Sequence, residues 1–243
     1  MSDTIEPLLL QHQGPPDVSL WRIDLHFDMS LDAAAFACLS HDERERAHNF
    51  RQRDDALRFA STRAALRELL AQRMGVEAHA VRFALDANRR PRLADSTAPD
   101  FNVSHAGGFA LIAMSNVRRV GVDIEQHSDR FDWRSIMTLT LDPDETAWIE
   151  RLDPSEQMAA FYDAWTAKEA LVKTTGGGIT RGLQHLAVLP REGNRVMLRN
   201  AIAHDMREIA AQWIGAPYGY AGCVAWSMSM SMSMSMSMRP LAQ

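Results

Sequence analysis

At 243 residues the chain is long enough for one large domain or two of roughly 100–150 residues. Its 46% hydrophobic and 23% charged content is ordinary for a globular protein, and a net charge of −5 is too mild to imply bulk attraction to nucleic acid or a membrane surface. The two cysteines, Cys38 and Cys223, exclude a disulfide framework and a cysteine-based zinc site and suit a reducing compartment.

The opening "MSDTIEPLLLQHQG" has only Leu8 to Leu10 as an apolar run and an acidic start. It does not read as a signal peptide, and no stretch is long enough to span a bilayer, so a cytoplasmic protein is expected. "SLWRIDLHFD" follows, and its Trp21, Ile23, Leu25, Phe27 alternation predicts a half-buried strand. From His41 to Met74 the pattern is helical, with Leu57, Ala60, Ala64 and Leu66 to Leu70 at helical intervals and Gly75 as the stop. "ALDANRRPRLAD" is a polar turn. "FNVSHAGGFALIAMS" reads as strand, glycine-rich turn, strand, and "RRVGVDIE" as the next strand. Two helix starts then share one design. Asp142, Pro143 and Glu145 in "LDPDE", and Asp153, Pro154 and Glu156 in "LDPSE", are N-cap, first helical residue and third helical residue of capping boxes. The second helix should run from Pro154 to about Thr174 and stop at Gly176-Gly177-Gly178. "LQHLAVL", "NRVMLRN" and "GYAGCVAWS" are strand-like, and the tail carries six Ser-Met pairs. Hairpins and single helices alternate without a βαβ rhythm, so the fold class expected is α+β. A long helix followed by strands occurs in both halves, which suggests two related subdomains.

"GVDIE" carries the first sign of chemistry. As a strand it puts Val122 and Ile124 on one face and two carboxylates, Asp123 and Glu125, on the other. Like charges side by side repel, so the pattern is either an exposed acidic face or a cation site. Downstream, "AWTAKEALVK" sets Trp165, Glu169 and Lys173 at i, i+4 and i+8 on one helical face. By itself that stripe is an ordinary ion-paired helix surface. Together, three carboxylates make an oxygen-rich set of the kind Mg²⁺ prefers, and the lysine suggests a negatively charged substrate. That combination suits phosphoryl chemistry.

"VGVDIE" followed about forty residues later by "WTAKEALVK" resembles the paired signatures G-[IV]-D-x-E and [WF]-x-x-K-E-[AS]-x-x-K of 4′-phosphopantetheinyl transferases. "FNVSHAGGFALIA" is similar to that family's F-N-x-S-H segment. "NRRPRL" stands where the family has a Gly-Lys-Pro turn, and "FRQRDDALRFASTRAALR" resembles its arginine-rich N-terminal helix. The likeness runs from about His41 to Leu189, in order, and the length fits the larger, monomeric class. It implies two similar α+β subdomains, placed at residues 1–118 and 119–243, with coenzyme A in the cleft between them. The implied reaction transfers the 4′-phosphopantetheine arm of coenzyme A to a serine of an acyl or peptidyl carrier protein and releases 3′,5′-ADP.

By position, the resemblance makes Asp123, Glu125 and Glu169 ligands of Mg²⁺ or Mn²⁺. Glu169 is also the candidate general base and Lys173 the lysine that steadies the pyrophosphate. Ser104 and His105 are expected to hold the 3′-phosphate. Arg46, Arg58 and Arg90 are expected to line the nucleotide side. Lys168 points off the Glu169 stripe and is carried as a coenzyme A contact against a structural alternative. Arg51, Arg53 and Arg67 read as a solvated face, and Glu145 as an acidic position near the site. Arg90 and Arg89 replace the lysine and glycine of the family's turn, and the Ser-Met tail has no counterpart. Two other readings remain open. A metal-dependent phosphohydrolase would need a water-activating histidine or a second metal, and no HExxH or comparable cluster is present. A non-catalytic module binding coenzyme A or carriers should lack a carboxylate or the lysine, and none is missing.

Overall fold

The computed structural model describes residues 6–95, 99–176, 182–199 and 204–230. The stretch read as helical from His41 forms two helices, α1 (His41–His48) and α2 (Arg53–Met74). A capping box starts α1: Ser40 Oγ accepts from the Glu43 N–H at 3.2 Å, and Glu43 Oε2 accepts from the Ser40 N–H at 2.9 Å. Gly75, with φ of 67°, ends α2 in the left-handed conformation that glycine adopts at little cost. Helices α3 (Met137–Thr140), α4 (Pro143–Glu150) and α5 (Pro154–Thr175) follow. Asp142 and Glu145 complete the expected capping box on α4. Asp153 does not do so on α5: its carbonyl, rather than its carboxylate, takes the Glu156 N–H at 2.8 Å.

Nine strands among the described residues form three antiparallel sheets. The first has the order β1 (Leu8–Leu10), β2 (Val18–Asp24), β6 (Phe109–Ser115), β5 (Asp100–Ala106). A small hairpin pairs β3 (Phe83–Leu85) with β4 (Pro91–Leu93). The third sheet has the order β7 (Val120–Gln126), β9 (Tyr220–Ser227), β8 (Ile209–Trp213). The β5–β6, β7 and β9 expectations hold. "LQHLAVL" is instead a short 3-10 turn followed by extended chain, and "NRVMLRN" contributes only a bridge from Arg195 to Gln212. Residues 231–243, which carry most of the Ser-Met repeat, and Gly177 and Gly178 of the expected helix stop lie outside the described residues. No helix among the described residues is long and apolar enough to cross a membrane.

The central strands present alternate side chains to different cores, three in all along this stack. Ala110, Ile112 and Met114 of β6 meet Leu66, Leu69 and Leu70 of α2, while Leu111 and Ala113 face the other way. There they meet Val122 and Ile124 of β7 and Val224 of β9. Cys223 and Ala225 of β9 turn to the opposite side, against Ala167, Ala170 and Leu171 of α5. The layers are therefore α2, sheet, sheet, α5, and β2, expected to be half-buried, is covered on both faces.

Candidate active site

The edge strands β5 and β7 are joined by side chains. Asp100 Oδ2 accepts the Val120 N–H at 2.8 Å, and Asn102 Oδ1 accepts the Val122 N–H at 2.9 Å. Two residues further along β5, Ser104 Oγ donates to the carboxylate of Asp123 instead, at 2.7 Å to Oδ1. This ladder uses one face of β5, as the two-residue period of a strand requires.

Helix α5 closes the site from the third side. Gly121 makes the approach possible: a Cβ there would overlap the Ala170 carbonyl oxygen and the Thr174 side chain. Alternation on β7 then sends Asp123 and Glu125 toward α5, and Asp123 is 2% exposed rather than part of a solvated acidic face. Glu169 is 4% exposed, and one turn on, Lys173 Nζ donates to Asp123 Oδ1 at 2.6 Å and to Ser104 Oγ at 3.3 Å. Trp165, the first member of the helical stripe, packs edge-on against Phe161 and Phe131.

The electrostatics of this centre are unbalanced. Burial raises the pKa of Glu125, the charge of Asp123 raises it further, and it reaches about 8. Burial followed by Asp123 pushes Glu169 up to about 7. Lys173 opposes both shifts without cancelling them. Asp123 Oδ2 and Glu169 Oε1 are buried with no hydrogen-bond partner among the described residues. Orphaned carboxylate oxygens beside the raised pKa values of Glu125 and Glu169 suit a cation. Even so, no group of three His, Cys, Asp or Glu side chains among the described residues is gathered into a ready metal cluster.

A cleft of about 500 Å³ opens beside this centre. Lys173, Ser104 and His105 line it together with Arg46, Phe59, Arg63 and Arg89. The ring of His105 is exposed, yet desolvation by its surroundings, with the Arg58 and Lys173 cations, lowers its pKa. Ser104 is tied to Asp123, beside the carboxylates, so the structure separates its surroundings from the exposed His105 beside it.

Three expected coenzyme A contacts are engaged within the protein. Lys168 is wholly buried: its ammonium donates to the Thr140 carbonyl at 2.7 Å and is paired with Glu145. Glu145 in turn accepts the Val188, Leu189 and Asp142 N–H groups. Lys168 is thus a core residue, and Glu145, whose role the sequence left open, is its partner. Arg90 is not on the cleft wall. Its guanidinium donates to Asp100 and to the carbonyls of Phe101, Val120 and Lys173 at 2.8–2.9 Å, so burial and these bonds make it a clamp across β5, β7 and α5. Arg58 donates to the Gly107 carbonyl at 3.1 Å and pairs with Asp55. Arg67, read as a solvated residue, is 3% exposed and pairs with Glu43 at 2.7 Å.

The sequence reading missed Arg63. Its guanidinium lies 4.5 Å from the Phe83 ring centroid and 5.7 Å from that of Phe59, while Arg46 covers Phe59 at 4.7 Å. Burial lowers the pKa of Arg63. The i, i+4, i+8 spacing of Phe59, Arg63 and Arg67 was the available signal, because it places an aromatic ring beneath a cation on one helix face.

The comparisons agree in both halves of the chain. Residues 119–224 match the model of the 4′-phosphopantetheinyl transferase superfamily, and residues 29–117 match that of the 4′-phosphopantetheinyl transferase N-terminal domain. The 4′-phosphopantetheinyl transferase HetI of Nostoc sp. is 32% identical over 196 residues, covering 79% of this chain and 82% of the relative. The 4′-phosphopantetheinyl transferase Sfp of Bacillus subtilis is 24% identical over 187 residues, covering 77% and 82%. The 4′-phosphopantetheinyl transferase AcpT of Salmonella typhimurium is 42% identical over a shorter stretch of 77 residues, which covers 32% and 40%.

Proposed function

The chain belongs to the 4′-phosphopantetheinyl transferase superfamily, in its larger HetI and Sfp type, and we propose that the cleft beside the β5–β7 seam is its coenzyme A site. The enzyme moves the 4′-phosphopantetheine arm of coenzyme A to a serine of a carrier protein and releases 3′,5′-ADP. One observation carries the placement of the site: Lys173, which lines the cleft with Arg46, Arg63 and Arg89, also bonds Asp123 and lies within the field of Glu125 and Glu169. Carboxylates and cations side by side suit a pyrophosphate that must be both held and cleaved.

Each residue has a role in this reading. Lys173 offers its ammonium to the pyrophosphate and to the phosphate that leaves. Glu169, with a pKa near 7, is poised to take the proton of the attacking serine at neutral pH. The orphaned oxygens of Asp123 and Glu169, with the Glu125 carboxylate, suit Mg²⁺ or Mn²⁺. Such an ion, when bound, supplies positive charge against the pyrophosphate. His105 and Arg46 stay on the nucleotide side. We read residues 1–118 and 119–243 as the two subdomains, in keeping with sheets whose strands do not cross Arg118 and with family matches that meet there. Two free thiols support a cytoplasmic setting, and the larger type supports a monomer.

The test is direct. Apo acyl and peptidyl carriers incubated with coenzyme A and Mg²⁺ should gain one phosphopantetheine by intact mass, with 3′,5′-ADP released only when carrier is present. Release without carrier would instead favour a hydrolase. Binding of coenzyme A with no release would favour a non-catalytic module.

A further inference from the structure

The β3–β4 turn holds an arginine in a conformation that disfavours it. Arg89, with φ of 63°, is the only non-glycine residue with positive φ among the described residues. That region crowds Cβ, and glycine would occupy it without the penalty. The turn is fixed on every side. Asp86 accepts the Arg89 N–H through its carbonyl and the Asn88 and Arg90 N–H groups through Oδ1. Asn88 Nδ2 donates to the Gly176 carbonyl at 2.6 Å, and Arg90 reaches the Lys173 carbonyl, so the turn is tied to the end of α5.

The two adjacent arginines therefore do different things. Arg90 is held by four protein acceptors. Arg89 is exposed and lines the cleft with Arg46, Arg63 and Lys173, and its guanidinium makes no hydrogen bond or ion pair among the described residues. A strained backbone that aims an unpaired cation into a cleft marks function more often than accident. We propose that Arg89 is a phosphate-binding residue of the coenzyme A site, doing what the neighbouring Arg90 is too engaged to do. Its planar fork suits two oxygens of one phosphate. That group is the 3′-phosphate or the pyrophosphate of the nucleotide. The proposal rests on the reading of the cleft as the coenzyme A site.

The test is Arg89→Gly, with dissociation constants measured by calorimetry in excess Mg²⁺ for coenzyme A and for dephospho-coenzyme A. Coenzyme A affinity should fall about 10-fold, as for loss of a charge-assisted hydrogen bond. The ligand-free Tm should stay level or rise by about 1–4 °C, because the strain is relieved. Opposite signs in the two readouts are what a merely structural arginine would not give. Loss confined to coenzyme A assigns the 3′-phosphate, and equal loss for both ligands assigns the pyrophosphate. Unchanged affinity for both overturns the proposal. Arg46→Ala separates the two layers of the argument. If it weakens coenzyme A and Arg89→Gly does not, only the role of Arg89 fails, and if neither weakens it, the cleft reading fails as well.

Discussion

Lys168→Ala should make the protein easier to unfold while leaving coenzyme A binding intact. The ammonium is 0% exposed, donates to the Thr140 carbonyl at 2.7 Å and faces Glu145, itself 1% exposed. Removing it leaves a buried carboxylate without its cation, although the Val188, Leu189 and Asp142 N–H groups still reach it. Breaking one side of a buried pair costs about 3–5 kcal/mol. For a chain of this size each kcal/mol moves Tm by about 2–4 °C, so a fall of about 6–20 °C is expected. With total stability of about 5–15 kcal/mol, the variant should remain folded in the cold. Thermal and urea unfolding would read the loss, and KM for coenzyme A, measured at a temperature where the variant is folded, should not move. Pairing Lys168→Met with Glu145→Gln removes both charges and keeps an acceptor for the backbone donors. That double variant should lose less than the sum of its parts, by about 1–3 kcal/mol. A variant as stable as the parent but with raised KM would show that Lys168 reaches the substrate and that the buried pair is not what matters.

Three other outcomes are expected. In chelator the protein should melt at lower temperature at pH 8.5 than at pH 6: Glu125 and Glu169 titrate near 8 and 7 when folded, so stability present below about pH 4.5 is lost as pH rises through those values. Excess Mg²⁺ should flatten that fall, and identical curves with and without the ion would refute a cation among these carboxylates. Glu169→Gln, at saturating Mg²⁺, should lower kcat by about 10²–10⁴-fold with a smaller change in coenzyme A affinity, and an unchanged kcat would remove Glu169 from proton transfer. A chain ending at Met230 should keep transfer activity, since the Ser-Met repeat offers no charged or aromatic side chain to the site; loss of folding in that truncation would make the repeat a core strand.

Local patterns were legible where one physical rule dominated. The β7 alternation and the Asp142 capping box each rest on a single short-range rule, and both are observed. Strand β8, "IAAQW", was missed because it is too short and alanine-rich to signal a pleated face, and it exists only by pairing with β9. "LQHLAVL" has the composition of a strand, but Glu145 Oε1 takes the Val188 and Leu189 N–H groups that a neighbouring strand would need. The same limit applied at the site. Spacing alone brought Asp123 and Lys173 together on plausible elements, yet could not tell a cation facing a cleft from one facing a buried acid. Long-range partners turned Lys168 and Arg90 into the protein and set the half-buried Arg63 against Glu43 and Phe83, whereas Arg89, with no side-chain partner among the described residues, faces the cleft.

The ladder between β5 and β7 explains why the site lies where it does. At Asp100 and Asn102 a side chain closes the seam onto a backbone N–H of β7, and each such bond leaves the two strands locked. At Ser104 the partner becomes the Asp123 carboxylate, and the ladder stops. From that point the seam is lined by side chains instead of backbone, which is what a cleft needs. Arg90 sits behind the transition and ties the Val120, Phe101 and Lys173 carbonyls together, so β5, β7 and α5 reach the opening as one body. The side chains of the proposed site then stand on two strands and a helix rather than on loops, the rigid placement that a preorganised site needs. A carboxylate brought in this way must be buried, repelled by its neighbours and short of donors. The raised pKa values of Glu125 and Glu169 and the unpartnered oxygens of Asp123 and Glu169 follow from gathering carboxylates at the end of a hydrogen-bonded seam, which is what the proposed cation and phosphate site requires.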